Sequence, residues 1–244
     1  MTISPPHPPN GESPSALISI EKLVKSYGVL PALRGIDLAI GRGECVALLA
    51  ANGGGKSTLI RLIAGLSKPT SGVIRVGGWE LPREAAAVRA QIGLVAHRTL
   101  IYETLTAREN LRFFAKLYRL TDADDRIDML LDQVGLRKRA DVPTRTFSRG
   151  MQQRLAIARA LLHDPTVLLL DEPYTGLDVG AAEILDAIVA RARDDGRTIV
   201  LTTHELDRAT RLASRAVILV RGRVGYDGAM PIDLHATYRA LISG

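Results

Sequence analysis

The feature that most constrains the fold is a glycine-rich segment that lies between an apolar run and a helical pattern. The apolar run covers residues 45–50, the segment reads AANGGGKST over residues 50–58, and apolar residues recur at helical spacing over residues 56–66. Consecutive glycines allow successive backbone N–H groups to curl around phosphate oxygens, and the positive end of the helix dipole adds to the attraction. The pattern therefore predicts a strand, a phosphate-binding loop and a helix, in that order.

The residues that follow the glycines supply the remaining chemistry of a phosphate site. Lys56 can reach terminal phosphates, and the hydroxyl group of Ser57 can ligate magnesium. The common pattern G-x-x-x-x-G-K-[ST] has glycine where this chain has Ala50, and alanine fits there if the residue keeps a negative φ. The alternative is a glycine-rich turn that binds nothing. The candidate nucleotide-binding residues of the loop are Ala51, Asn52, Gly53, Gly54, Gly55, Lys56, Ser57 and Thr58.

Composition excludes several classes of protein. With 244 residues, of which 46% are hydrophobic and 24% charged, the chain has the composition of a globular protein rather than a disordered or collagen-like one. No apolar run approaches the ~20 residues of a membrane-spanning helix. The single cysteine, Cys45, rules out a disulfide framework, and without a signal-peptide pattern it favours a reducing cytoplasm.

The formal net charge of +6 raises the question of an anionic partner. Nucleic acid, the acidic inner face of a membrane and the phosphates of a small ligand are the alternatives. The basic residues are scattered along the chain rather than clustered, which is more typical of a solvated surface than of a binding patch.

The distribution of apolar runs predicts one α/β domain. Residues 1–15 contain five prolines and are expected to be a disordered lead-in to a domain over residues 16–244. Strands that alternate with helices imply a largely parallel sheet with both faces covered. Strands are predicted at 17–24, 33–40, 45–50, 73–76, 92–95, 167–170, 198–202 and 217–220, and helices at 56–66, 180–193, 206–212 and 231–242.

The stretch over residues 105–162 differs from the rest because its apolar residues form two stripes at helical spacing. We interpret it as an α-helical sub-domain inserted at about residues 98–162 between two strands. Its two apolar stripes, which we assign to the core, are Leu111, Phe114, Leu117 and Tyr118, and Ile127, Leu130, Leu131 and Val134.

Polar residues follow two of the predicted strands. Asp171 and Glu172 end the strand over 167–170, and His204 follows the next strand. A carboxylate at that position can hold Mg²⁺, and a second one can orient an attacking water molecule. The alternatives are a solvated turn for the acidic pair and a helix-start or packing role for the histidine.

Several further motifs occur in a fixed order and spacing. They are the loop at 50–58, FSRGMQQR at 147–154, LLLDEP at 168–173, TGLD at 175–178 and His204. Through them the chain after Ala16 resembles the nucleotide-binding subunits of ATP-binding-cassette (ABC) transporters. The resemblance implies a P-loop NTPase core with a mixed, mainly parallel sheet and an antiparallel N-terminal β sub-domain. It also implies ATP and Mg²⁺ as ligands, a homodimer in the ATP-bound state, and a separate integral-membrane permease to which the subunit binds from the cytoplasm at the inner face of the cell membrane.

The same resemblance implies a role for individual residues. Lys56, Glu172 and His204 would be catalytic, and Ser57 and Asp171 would hold the metal. Tyr27 would stack on adenine, with an ordinary edge-strand tyrosine as the alternative. The signature that caps the γ-phosphate bound by the opposite subunit would comprise Ser148, Arg149, Gly150, Met151 and Gln152, and the loop that links the two sites would contain Asp178.

Two departures from the family pattern stand out. The usual signature is L-S-G-G-Q, and Phe147, Arg149 and Met151 differ here, although Ser148 and Gly150 keep the hydroxyl group and helix start that a phosphate needs. The glutamine expected after the strand at 92–95 is His97, which can hydrogen-bond water or touch a ligand of the magnesium ion.

His97 also bears on the subfamily. Residues 93–98 and 105–111 resemble the ATP-binding subunit of the haem exporter of cytochrome c maturation, in which the histidine is often followed by glutamine rather than by Arg98. The signature FSRGM also occurs in drug and polysaccharide export ATPases. We therefore expect haem export, with drug, antibiotic or polysaccharide export as the alternative. A nucleic-acid-acting ABC ATPase ranks lower because the chain shows neither a second cassette nor a long coiled coil, and no nucleic acid is expected as a partner.

Overall fold

The computed structural model describes residues 16–96 and 99–243. The predicted lead-in at 1–15, together with His97 and Arg98, lies outside these residues. The strands are β1 Ala16–Tyr27, β2 Leu30–Gly41, β3 Cys45–Ala50, β4 Ser71–Val76, β5 Trp79–Leu81, β6 Ile92–Val95, β7 Val167–Asp171, β8 Thr198–Thr202, β9 Arg215–Val220 and β10 Arg223–Ala229. The helices are α1 Lys56–Ile63, α2 Ala85–Ala90, α3 Ala107–Leu117, α4 Asp124–Gln133, α5 Arg149–Leu161, α6 Val179–Asp194, α7 Leu206–Leu212 and α8 Leu234–Ser243.

A six-stranded sheet in the order β10-β9-β3-β8-β7-β6 forms the centre of the fold. The pairs β9–β3, β3–β8, β8–β7 and β7–β6 are parallel, and β10 is antiparallel to β9. Every residue of β3, β7 and β8 is buried, as the continuous apolar runs in the sequence predict for strands covered on both faces. Cys45 begins β3, where burial raises the pKa of its thiol to about 11.

A separate four-stranded antiparallel sheet has the order β2-β1-β4-β5. Its apolar residues pack with α1 and one face of the six-stranded sheet in a common core that includes Ile18, Leu48 and Leu59. The mixed six-stranded sheet and this N-terminal antiparallel sheet confirm the predicted fold class.

Helices α3, α4 and α5 occupy the chain between β6 and β7, where the sequence predicts a helical insertion. Leu111 and the second stripe at Ile127, Leu130, Leu131 and Val134 are buried, in a core that continues to the opposite face of the six-stranded sheet. The assignment of Leu117 and Tyr118 to the core is wrong, because these residues are 62% and 37% exposed. The helix ends at Leu117, and the chain then turns away through Arg119, whose φ is 55°.

Three elements were not predicted from the sequence. They are β5, α2 and β10, of which the first two are short. β10 contains two glycines, which weaken a strand pattern. The C-terminal helix starts at Leu234, later than the predicted residue 231, because Asp233 accepts a hydrogen bond from the backbone N–H of Ala236 at 2.8 Å. Among the described residues, none of the helices is both long and apolar enough to cross a membrane.

Candidate functional site

The glycine-rich loop joins the buried end of β3 to the start of α1. Ala50 is the last residue of β3 and keeps a negative φ, so alanine is accommodated there without backbone strain. Gly55 has φ 104°, which favours glycine strongly. A Cβ atom at Gly54 would lie 2.7 Å from the Cβ atom of Ala50, so the chain approaches itself more closely than a side chain allows. The loop is therefore a narrow backbone cradle at the N-terminus of a helix, which is the geometry that phosphate requires.

Lys56 begins α1 and is only 7% exposed. Its Nζ atom donates a hydrogen bond to the carbonyl oxygen of Ala50 at 2.9 Å and lies 3.9 Å from Oε1 of Glu172. Burial lowers the pKa of the Lys56 ammonium group, and the carboxylates of Glu172 and Asp171 oppose that shift. The lysine thus curls back over its own loop and places a positive charge between the loop and the acidic end of β7.

Asp171 ends β7 and accepts hydrogen bonds from two hydroxyl groups. The Oγ atom of Ser57 donates to Oδ1 of Asp171 at 3.1 Å, and Oγ1 of Thr202 donates to the same oxygen at 2.9 Å. Mg²⁺ is usually held by one or two protein oxygens while phosphates and water complete its shell. The described residues contain no cluster of three or more His, Cys, Asp or Glu side chains suited to a metal. The Ser57–Asp171 pair fits an ion that is shared with a phosphorylated ligand.

Glu172 adopts the left-handed conformation, with φ 51°, and its backbone N–H donates to Oγ1 of Thr202 at 2.8 Å. Its Oε1 atom lies 3.1 Å from Nε2 of His204, but it is shielded from solvent and is not aligned for a hydrogen bond with any described residue. Burial raises the pKa of this carboxyl group, and His204 and Lys56 oppose the shift. A buried acceptor without a donor suits a water molecule held for reaction.

The structure brings together five of the residues singled out in the sequence. They meet where β3, β7 and β8 end, and they are Lys56, Ser57, Asp171, Glu172 and His204. A continuous series of contacts of 3.9 Å or less, two of which involve Thr202, connects all five. The ring of His204 is 55% exposed, so it borders the site on the solvent side. Thr202 was missed in the sequence, although it is the hydroxyl residue that ends β8 opposite Asp171 in the parallel register.

The remaining candidates lie elsewhere on the chain. Tyr27 ends β1 with a half-exposed ring, and Nζ of Lys25 lies 4.9 Å from the ring centroid. Ser148 caps α5 by accepting a hydrogen bond from the backbone N–H of Met151 at 3.2 Å. Asp178 caps α6 in the same manner, with Ala181 as the donor at 2.8 Å.

The expected signature residues are thus on the surface at the start of α5. Ser148 and Arg149 are exposed, and Gly150, Met151 and Gln152 are partly buried. Among the described residues, no hydrogen bond or ion pair joins this signature segment to Lys56 or Glu172. His97 cannot be placed, because it lies outside the described residues.

Comparison with known proteins identifies the class. A family model described as "ABC transporter" matches residues 33–175. The ABC transporter ATP-binding protein NatA of Bacillus subtilis is 38% identical over 205 residues, which are 83% of this chain and 83% of NatA. The Nod factor export ATP-binding protein I of Paraburkholderia xenovorans is 38% identical over 218 residues, covering 88% of this chain and 72% of the relative. The linearmycin resistance ATP-binding protein LnrL of Bacillus subtilis is 37% identical and covers 85% and 68%.

Similar proteins of known structure indicate the same class. An ATP-binding subunit of an ABC transporter has a TM-score of 0.82 at 35% identity and covers 88% of this chain and 90% of its own. An ATP-binding cassette solved as a dimer in a post-hydrolysis state with ADP and Pi has a TM-score of 0.81 at 28% identity, covering 88% and 99%. The chain belongs to the ABC transporter family. It is the ATP-binding subunit of such a transporter, an enzyme that hydrolyses ATP to power transport.

Proposed function

We propose that this ATPase serves an export system of the drug, antibiotic or polysaccharide type, in which it works on a separate membrane permease. The names of two relatives, which refer to Nod factor export and linearmycin resistance, support this reading over haem export. Haem export remains the second candidate. It depends on the resemblance of residues 93–98 and 105–111, of which His97 and Arg98 lie outside the described residues.

The observation that carries the proposed chemistry is the meeting of Lys56, Asp171, Glu172 and His204 at the carboxyl ends of neighbouring strands. In sheets of this kind, ligands bind at that edge. Lys56 and the loop N–H groups would bind the β- and γ-phosphates of ATP, and Ser57 and Asp171 would hold Mg²⁺. When bound, that ion neutralises charge on the phosphates.

Glu172 is the residue that we assign to the attacking water. Its Oε1 atom is a buried acceptor near two positive or polarisable groups, Lys56 and His204, and it can orient a water molecule toward the γ-phosphate. His204, on the solvent side, would donate to the γ-phosphate. Tyr27 would stack on the adenine ring at the exposed end of β1.

We also propose a homodimer in which each chain completes the other's site. Among the described residues, the signature segment at 148–152 makes no hydrogen bond or ion pair with Lys56 of the same chain, so a two-fold arrangement would place it over the partner's ATP. Asp178 would lie in the loop between the two sites. On this scheme the subunit is cytoplasmic and binds peripherally to the inner face of the membrane through its permease.

The test is to replace Glu172 with glutamine in the full chain. The amide keeps the shape of the side chain but is not a base, so we expect turnover to fall at least ~100-fold while ATP stabilises a dimer in size-exclusion chromatography. Lys56→Ala should lose ATP affinity and remain monomeric. Glu183→Gln, an exposed position on α6, is the matched control and should behave as wild type. Normal turnover in Glu172→Gln would contradict the proposal.

The export class needs a different experiment, because a permease is a separate chain. Affinity purification of the subunit from its native membrane should recover a membrane protein of the drug or polysaccharide export type. Recovery of the permease of cytochrome c maturation would establish haem export instead.

A further inference from the structure

A second cluster of polar residues lies around Arg208 of α7. The Cζ atom of Arg208 lies 4.1 Å from the centroid of the Tyr174 ring. Its Nη1 atom donates to Oδ1 of Asp186 at 3.0 Å, and its Nε atom donates to Oε2 of Glu205 at 3.0 Å. The guanidinium is largely buried, and the Tyr174 ring is buried beneath it. Arg208 therefore holds one aromatic and two acidic partners at the same time.

Each partner belongs to a segment that also carries a candidate site residue. Tyr174 follows Glu172 by two residues in a tight turn, in which the N–H of Thr175 donates to the carbonyl oxygen of Glu172 at 3.2 Å. Glu205 is the residue after His204. Asp186, the third partner, lies on α6, which is the helix that Asp178 caps. Arg208 is thus the junction of the segments that contain Glu172, His204 and Asp178.

We propose that Arg208 is a positioning residue that holds these three segments in register, so that Glu172 and His204 face the γ-phosphate together when the dimer forms. The inference rests on the proposed roles of those residues in ATP hydrolysis. A displacement of about 1 Å at a reacting group can cost on the order of 100-fold in rate. A planar, forked cation that stacks on tyrosine and bonds two carboxylates restrains such displacements better than a flexible point charge.

The nucleotide-binding loop takes no part in this cluster. Lys56 and Ser57 have their own contacts with Ala50, Asp171 and Glu172, none of which involves Arg208. Loss of Arg208 should therefore lower the rate of hydrolysis without weakening ATP binding. A purely structural role would instead lower stability and both functions alike.

The hydroxyl group of Tyr174 gives a further distinction. It is buried beside Asp186 and Arg208 but is not aligned for a hydrogen bond with either. The face of the ring is what contacts Arg208, and phenylalanine presents the same face. Tyr174→Phe should therefore keep most of the turnover, whereas Tyr174→Leu should lose it as Arg208→Ala does.

The experiment compares steady-state ATPase activity, equilibrium binding of a fluorescent ATP analogue and thermal unfolding for full-chain variants. We expect Arg208→Ala to lower kcat about tenfold while KM and the analogue's Kd stay within about twofold, measured well below Tm. Arg208→Lys should recover part of kcat, because it keeps a charge beside Asp186 but loses the fork. Arg211→Ala is the matched control: Arg211 lies on the same helix, is exposed, and reaches only Asp186 at 3.7 Å.

An unchanged kcat in Arg208→Ala, a parallel loss of ATP affinity, or an equal effect in Arg211→Ala would overturn the inference. These outcomes are separable from the proposed ATPase roles. Wild-type turnover that disappears in Glu172→Gln supports those roles whatever the Arg208 variants do.

Discussion

At the scale of residues, two adjacent carboxyl groups have different surroundings. Asp171 accepts hydrogen bonds from the hydroxyl groups of Ser57 and Thr202 on one carboxylate oxygen. Glu172 has one oxygen without a donor, and burial raises its pKa. The first environment suits a metal ligand and the second suits a group that receives a water proton. The division of roles between the pair thus follows from their hydrogen bonds.

His163 offers a prediction that does not depend on the proposed function. Its ring stacks on Tyr118 with centroids 4.0 Å apart, and its Nε2 atom lies 3.1 Å from the carbonyl oxygen of Ile92. Burial lowers the pKa of His163 to about 4. Between about pH 4 and the ordinary value of ~6.5, the unfolded state binds a proton that the folded state does not. The free energy of unfolding should therefore fall with decreasing pH in this window, by up to about 3 kcal/mol.

The measurement is urea unfolding of wild type and His163→Phe between pH 4.5 and 7.5. Phenylalanine keeps a ring for Tyr118 but cannot be protonated, so the variant should show a flatter pH dependence below pH ~6.5. His235→Gln is the control, because that histidine is exposed beside Asp207. If the free energy of unfolding depends on pH equally in wild type and His163→Phe, His163 is not the source of the pH dependence.

The sequence could predict some of these residues and not others. Lys56, Ser57 and Asp171 stand in short patterns whose chemistry is local. Thr202 could not be distinguished from a strand residue that packs in the core, because its role depends on the register that places it opposite Asp171. Leu117 fits the apolar stripe, yet it is exposed because the helix ends there.

At the scale of elements, the loop between β3 and α1 is the most restricted part of the chain. A Cβ atom at Gly54 would meet that of Ala50 at 2.7 Å and the carbonyl oxygen of Ala51 at 3.0 Å. Gly54→Ala should therefore widen the loop and weaken ATP binding, by about tenfold if the distortion costs ~1.4 kcal/mol. Equilibrium binding of a fluorescent ATP analogue measures the loss.

Ala50 provides the matched control for this prediction. In the double variant Ala50→Gly with Gly54→Ala the closest contact is removed, so part of the affinity should return. Ala50→Gly alone should bind ATP about as well as wild type, since Ala50 is not strained. If the double variant binds no better than Gly54→Ala, the contact with Ala50 does not set the loop's width.

The regular elements differ in how far the sequence predicts them. β3, β6 and β8 have the bounds that their apolar runs predict, because strands buried on both faces need no alternation. β10 was missed for two reasons. Its burial alternates, so it has no continuous apolar run like those of the other strands, and its two glycines resemble a turn. The division into an inserted helical sub-domain at 98–162 stays a prediction, because the helices there share a core with the central sheet.

At the scale of the whole molecule, no hydrogen bond or ion pair among the described residues joins the phosphate loop to the signature segment of the same chain. If two chains form two composite sites, variants with different defects should complement each other. Lys56→Ala alone and Ser148→Ala alone should both be deficient in turnover, but with random pairing half of the dimers in an equimolar mixture are heterodimers, each with one intact site of two. The mixture should recover up to about a quarter of wild-type ATPase activity.

The matched control mixes two variants with the same defect, Lys56→Ala and Gly54→Ala, in which every site lacks a proper loop. That mixture should show no turnover beyond the sum of the two variants measured alone. Equal activities in the two mixtures would contradict a site shared between chains.

At this scale the order of the motifs alone is enough to indicate the family, because all five motifs occur in the order and at the spacing that the family has. The expected haem export is not supported by the relatives, two of which are named for Nod factor export and linearmycin resistance. The residues that suggested haem export, at 93–98 and 105–111, all lie within the family match over residues 33–175.

The burial of Cys45 has a practical consequence for measuring motion. It is the chain's one cysteine, it lies in the central strand, and its thiol is shielded and kept protonated at neutral pH by its raised pKa. A maleimide spin label or fluorophore should therefore react with a cysteine introduced at exposed Val179 and leave the native thiol untouched. The native cysteine therefore need not be removed before labelling. The distance between labels at position 179 in two copies of the chain would report how the copies approach each other when ATP binds.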